Sequence, residues 1–229
     1  MSQMPRVLIE DWFPVAELGD ESRRERTISI AIPPLSRMHV WWARRPLAAS
    51  IGVVLAGLLP SWSEELQVDI GTYLGSLEAN ARKALLSPRP ALEGRTSYTN
   101  PDERWYRDWF LHMCGIWGDP VEAGRKYDAA VASGVRIANP YNYLQAYKNH
   151  LDLIHLELMT FLMRRTWGSA LPRVLDPTAG GGSIPFVAAR LGLPTIANDL
   201  NGVAATLLQA CVATPSKFGN DLDADARHW

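Results

Sequence analysis

The chain reads as an α/β fold in which a parallel sheet starts late, after a mostly helical N-terminal region. Three observations predict this. Arg173-Val174-Leu175 is a short apolar run that breaks at Asp176-Pro177-Thr178 into Ala179-Gly180-Gly181-Gly182-Ser183, after which apolar residues resume at helical spacing. A second short run, Thr195-Ile196-Ala197, ends in Asn198-Asp199-Leu200-Asn201. Strand, glycine-rich turn, helix and strand in that order make a parallel crossover unit. Upstream of residue 173 the apolar positions recur instead every three or four residues, as they do in helices.

The elements follow in order. Pro33-Pro34 forces an extended segment, and Pro46 to Leu59 is mostly apolar, with Pro46 suited to a first helical turn and Pro60 to a stop, so it predicts a buried helix. Residues 61–140 alternate helix-like stretches with breakers such as Ser87-Pro88-Arg89-Pro90, Asn100-Pro101-Asp102 and Gly118-Asp119-Pro120, and read as a helical insertion or lid. Its aromatic cluster of Trp105, Tyr106, Trp109, Phe110 and Trp117 has the spacing of a helix packing one face inward, which favours core over base stacking. From Tyr143 to Arg165 a long amphipathic helix leads into the first strand. It carries His150 and His155, five positions apart and so not on the shared face that a two-histidine metal site requires. Asn139-Pro140-Tyr141 reads as a turn ahead of that helix. The divisions are therefore 1–60, an N-terminal region; 61–140, the insertion; and 141–229, the beginning of a ligand-binding domain.

Bulk properties narrow the function. With 229 residues, 47% of them hydrophobic, the chain can bury a substantial core. The apolar run from Leu47 to Leu59 is too short to cross a bilayer and the N-terminus lacks a signal pattern, so a cytoplasmic location is expected. Cys114 and Cys211 lie far apart and read as reduced thiols, and no metal site is implied. A net charge of −1 gives no global attraction to phosphates. Any nucleic-acid contact is therefore local, and the candidate is Arg23, Arg24, Arg26, Arg37, Arg44 and Arg45, set against the acidic tail Asp221, Asp223 and Asp225.

The glycine turn is the chemical centre. Consecutive glycines remove the Cβ atoms that would hold a ligand off the backbone amides, and Ser183 is placed to cap a helix whose positive end faces the same space. No Gly-x-x-x-x-Gly-Lys-Ser/Thr occurs, which excludes a lysine-held nucleoside triphosphate. Pro185 stands where the dinucleotide fingerprint has its third glycine, which disfavours a nicotinamide-linked dehydrogenase. Asp176 and Asp199, one at each strand end, suit a zwitterionic or cationic nucleoside, with Asp199 accepting from ribose hydroxyls.

Asp176-Pro177-Thr178-Ala179-Gly180-Gly181-Gly182-Ser183 closely resembles the Asp-Pro-Phe-Ala-Gly-Gly-Gly-Ser form of motif I in S-adenosylmethionine-dependent DNA amino-methyltransferases, departing from it at Thr178. Asn198-Asp199-Leu200-Asn201 is similar to their second acidic motif. Leu8-Ile9-Glu10 through Arg23-Arg24-Glu25, together with His39-Val40-Trp41-Trp42-Ala43-Arg44-Arg45-Pro46, resembles the start of the DUF1156 proteins, large adenine-specific DNA methylases associated with phage defence. The resemblance implies a Rossmann-like class I methyltransferase sheet and S-adenosylmethionine as cofactor. It also implies that the Ala179 to Gly182 amides line the methionine part, that Asp176 orients the amino group, and that Asp199 and Leu200 hold the nucleoside. His39 to Pro46 looks like motif X, which packs against the methionine end.

These enzymes act through an Asp/Asn/Ser-Pro-Pro-aromatic loop that binds a flipped base, and none occurs after Asp199. No catalytic residue is therefore assigned. The expected function is the cofactor-binding N-terminal portion of a DNA adenine-N6 methyltransferase, inactive alone. DNA would be contacted through the complete enzyme, whose catalytic half follows or is supplied by a partner subunit. The alternative is a non-catalytic binding subunit that pairs with a separate catalytic chain.

Overall fold

A computed structural model describes residues 4–27, 45–92, 97–219 and 221. Its helices are α1 (Val15–Thr27), α2 (Leu47–Ala56), α3 (Glu64–Ser76), α4 (Ala79–Leu85), α5 (Glu103–Met113), α6 (Pro120–Ser133), α7 (Leu153–Trp167), α8 (Ser183–Arg190), α9 (Gly202–Leu208) and α10 (Thr214–Phe218). A π-helical stretch, Gln209–Ala213, joins the last two. Two strands, β1 (Val174–Asp176) and β2 (Thr195–Ala197), flank α8 and pair in parallel, with Val174 opposite Thr195 and Asp176 opposite Ala197.

The expected Rossmann-like sheet is not found. The described chain is mainly helical, and its sheet stops at this one pair of three-residue strands. Pro177 and the glycines end β1, while Asn201 accepts from the Val203 amide and starts α9 soon after β2. Neither strand has room to lengthen. One face of the pair is open, with Leu175 64% and Ile196 51% exposed.

The core is built by helices. Leu55, Leu59, Leu66, Ile70 and Leu85 are fully buried together with Trp105, Tyr106, Trp109 and Phe110, as the aromatic spacing predicts, and Trp117 packs against them half-buried. Two of these aromatics place their polar atoms on main-chain acceptors, which lowers the cost of burying them. Trp105 donates to the Leu85 carbonyl (2.8 Å) and Tyr106 to that of Pro60 (2.9 Å).

Helix α2 shows how distant segments complete one another. Its N-cap, Pro46, has no side chain able to accept from the first-turn amides, so Glu25 of α1 does so instead, taking Leu47 N (2.9 Å) and Ala48 N (3.2 Å) in a buried contact. The apolar stretch ends as a helix at Ala56, and a turn carries the chain to Pro60, which bridges Val7.

The long helix expected from Tyr143 is a correction. Only a 3-10 turn, Ala146–Lys148, forms before α7 begins at Leu153. Several carbonyls that a helix would use are claimed by tertiary donors: Arg24 takes those of Tyr143 (2.7 Å) and Leu144 (3.4 Å), and Arg190 takes those of Tyr147 (2.8 Å) and Asn149. His150 therefore lies outside the helix and exposed, while His155 is buried in its first turn.

No described helix is long and apolar enough to cross a membrane, and no cluster of three or more metal-ligating side chains occurs among the described residues.

Candidate functional site

The glycine turn sits where β1 gives way to α8. Gly180 (φ 52°) and Gly182 (φ 81°) both occupy left-handed backbone, which a side-chain-bearing residue adopts only with strain. Gly182 is also a packing requirement, since a Cβ there would stand 3.1 Å from Leu208 Cδ2. Gly182→Ala is expected to lose about 1–3 kcal/mol of stability, as read from a urea unfolding midpoint.

The N-cap of α8 is Gly182, so Ser183 is the first helical residue and not the cap. Its hydroxyl donates instead to the Arg45 carbonyl at 3.0 Å. The segment leading into α2 is thereby fastened to the turn across 138 positions of sequence, and α2 packs along α8. Pro46, next to Arg45, is buried at this junction. His39, the other residue assigned to this flank, lies outside the described residues, as do Arg37, Arg44, Asp223 and Asp225.

The two strand-end acids behave differently. Asp176 is buried, and its Oδ1 accepts from the Thr178 amide at 3.2 Å, so it shapes the turn from within. Asp199 is half-buried, and it is held by Asn201 N (2.8 Å, Oδ1) and by Gly180 N (2.7 Å, Oδ2). These amides, Asn201 first, keep its carboxyl below the usual carboxylate range. Asp199 therefore remains an anion with lone pairs to spare. It also lines a cleft of about 700 Å³ with Pro194, Ile196, Leu208 and Val212, a volume that suits a nucleoside. Leu200, beside it, is fully exposed and touches nothing that would hold it back from a ligand.

The amides assigned to the methionine part are mostly engaged within the protein. Ala179 N bonds the Asn198 carbonyl (2.9 Å), Gly180 N bonds Asp199, and Gly182 N bonds the Ala179 carbonyl (2.8 Å). Main-chain bonds between the two strand ends thus set the shape of the turn. Sequence reasoning did not foresee the Asn198, Arg45 and Leu208 contacts, because none of those residues carries a local signal for partners so far along the chain.

The basic N-terminal quarter is largely compensated where it is described. Arg23 pairs with Asp20 (3.2 Å) and Asp128 (2.7 Å), and Arg24 is buried against Glu21 (3.3 Å). Cys114 is buried and Cys211 half-buried, and neither is in a disulfide. Burial pushes both thiols up, away from the reactive thiolate.

Residues 12–85 match the model of a family described as a protein of unknown function, DUF1156. The matched stretch runs from Trp12 through α1, α2 and α3 to the end of α4. It includes Arg45 and Pro46 but stops far short of the glycine turn. Its description assigns no activity. No curated protein and no solved structure matches the chain.

Proposed function

We propose that the chain binds S-adenosylmethionine at the Asp176–Ser183 turn and serves as the cofactor-binding part of a DNA adenine-N6 methyltransferase. The observation that carries this reading is the placement of Asp199, which braces the glycine turn through Gly180 N and at the same time lines a nucleoside-sized cleft. The donor set fits the ligand. A fixed carboxylate suits ribose hydroxyls, and the open positive end of α8 suits the ligand's own carboxylate. The buried negative charge of Asp176 favours a cationic sulfonium over a phosphate. Bound there, the cofactor would supply an electrophilic methyl group. The protein's part is to hold the nucleoside by Asp199 and Leu200 and to let the methionine end approach a backbone stripped of Cβ atoms. Pro46, tied in through the Arg45 carbonyl, would close the methionine side.

Calorimetric titration tests this. S-adenosylmethionine and S-adenosylhomocysteine are expected to bind and NADH not to. Asp199→Ala and Gly181→Val are each expected to weaken binding at least about tenfold, which is the loss of one charge-assisted hydrogen bond or of one close backbone approach. Unchanged affinity in both variants would remove the site assignment.

A second reading, a non-catalytic subunit paired with a catalytic chain, is favoured by the open strand face with Leu175 and Ile196 exposed. It predicts a stoichiometric complex on co-expression with a chain carrying the Pro-Pro-aromatic loop, and loss of that complex in Leu175→Asp.

A further inference from the structure

A second cavity, of about 640 Å³, lies away from the glycine turn. The C-terminal half of α1, the middle of α6 and the connector 137–148 enclose it, and its wall includes Arg23, Tyr127, Asn139, Tyr141 and Lys148. We infer that this cavity binds a nucleotide, with the base stacked on Tyr141 and the phosphate at the Lys148 rim.

The stacking platform is built in advance. The Arg24 guanidinium lies 4.0 Å from the centre of the Tyr141 ring and 4.8 Å from that of Tyr143. It cannot swing away, because its own donors are committed to Glu21 (3.3 Å), the Tyr143 carbonyl (2.7 Å) and the Leu144 carbonyl (3.4 Å). Arg24 is only 8% exposed, whereas Tyr141 remains half-exposed at the cavity wall. A cation fixed against an aromatic ring draws its π density and improves stacking with an electron-rich heterocycle.

Polar groups suited to a base edge and to a phosphate surround the ring. Asn139 Oδ1 accepts from Tyr141 N at 3.1 Å, which fixes the side chain of this exposed residue by one oxygen and leaves its amide nitrogen as a donor in the same cavity wall. Lys148 stands at the exposed rim, and Arg23 contributes a guanidinium held in place by Asp20 and Asp128. The exposed ring of Tyr127 offers a second flat surface. Three tyrosines set in a largely apolar wall give a base flat surfaces to stack on, and the Asn139 amide and the Lys148 ammonium add the polar contacts that an unstacked nucleotide needs, the Asp128 carboxylate being engaged by Arg23.

The shared chemistry is one base with its phosphate, and it can come from a free mononucleotide or from a single strand. Fluorescence anisotropy with a labelled single-stranded oligodeoxynucleotide, competed by adenosine 5′-monophosphate, separates the two. Displacement by the mononucleotide assigns the free ligand; binding of the strand that the mononucleotide does not displace assigns the polymer. In either case Tyr141→Ala is expected to weaken binding about tenfold while Tyr141→Phe keeps it, and Lys148→Ala is expected to lower the salt slope by about one. The same titration on Gly181→Val should give wild-type affinity, so this site and the cofactor site stand or fall separately. Absence of binding by both probes, or wild-type affinity in a folded Tyr141→Ala chain, would overturn the proposal. So would a proline-rich peptide that binds the cavity and is not displaced by the oligonucleotide.

Discussion

Glu21→Ala is expected to lower folding stability by about 3–5 kcal/mol, the usual consequence of removing one partner of a buried ion pair. Glu21 is 1% exposed, and its carboxylate accepts from Arg24 Nη1, from Tyr143 Oη at 2.8 Å and from Ala146 N at 2.8 Å. One side chain of α1 thus holds a connector more than 120 positions away. Truncation leaves the Arg24 charge buried without its counterion and two donors without an acceptor. Glu21→Gln keeps an acceptor for Tyr143 or Ala146 but loses the charge, so its cost should fall between wild type and alanine. Glu122→Ala is the control. Its ion pair with Lys126 is more than half exposed on both sides, and its loss should move the midpoint by less than about 0.5 kcal/mol. Urea unfolding of the three variants makes the comparison, and a Glu21→Ala loss below about 1 kcal/mol would mean that water reaches Arg24.

The same contacts show what local sequence could and could not convey. Trp105, Tyr106, Trp109 and Phe110 were legible as core because their own spacing describes a helix face. The glycine turn was legible because backbone conformation is a local property, and positive φ at Gly180 and Gly182 follows from residue type. Helix α2 was readable within a few residues, although not the buried Glu25 that caps it, since caps drawn from other elements leave no pattern. The segment from Tyr143 to Asp152 has helical periodicity and is not helical, because Arg24 and Arg190, from elsewhere in the fold, bind its main-chain carbonyls. The Rossmann-like sheet fails for a related reason. Short apolar runs next to a familiar motif suggested a sheet, whereas the described residues contain one strand pair and satisfy most apolar positions by helix packing. At the candidate site the residues proposed to meet a ligand are recognisable by type. The atoms that position them, the Arg45 and Asn198 carbonyls, are not, since any residue can supply a carbonyl.

The second large effect concerns acid. His112 in the last turn of α5 and His155 in the first turn of α7 stack with ring centres 4.0 Å apart, and Trp117 covers His112 from 5.4 Å. Both imidazoles are buried, and neither nitrogen of His112 nor Nδ1 of His155 makes a well-formed hydrogen bond, the Pro88 carbonyl offering His112 only a weak one. Burial lowers His112 to about 4, with the Pro88 carbonyl and Asp152 offsetting part of the shift, and lowers His155 to about 3, with His112 adding to it. Both are neutral in the folded chain and take up protons below about 6.5 in the unfolded one. Their contribution is complete above pH 6.5 and is lost as pH falls below it, at up to about 1.4 kcal/mol per pH unit for each ring. The slope of unfolding free energy between pH 6 and pH 4.5 should therefore contain about 2.4 kcal/mol per unit from the pair, a loss of about 3.6 kcal/mol over that interval and a large fraction of the stability of a marginal domain. His155→Phe keeps the stack and removes one proton site, so it should flatten that slope by about 1.4 kcal/mol per unit while leaving stability at pH 8 close to wild type. A slope unchanged by the substitution would show that the rings are already reached by water or by a proton donor in the folded state.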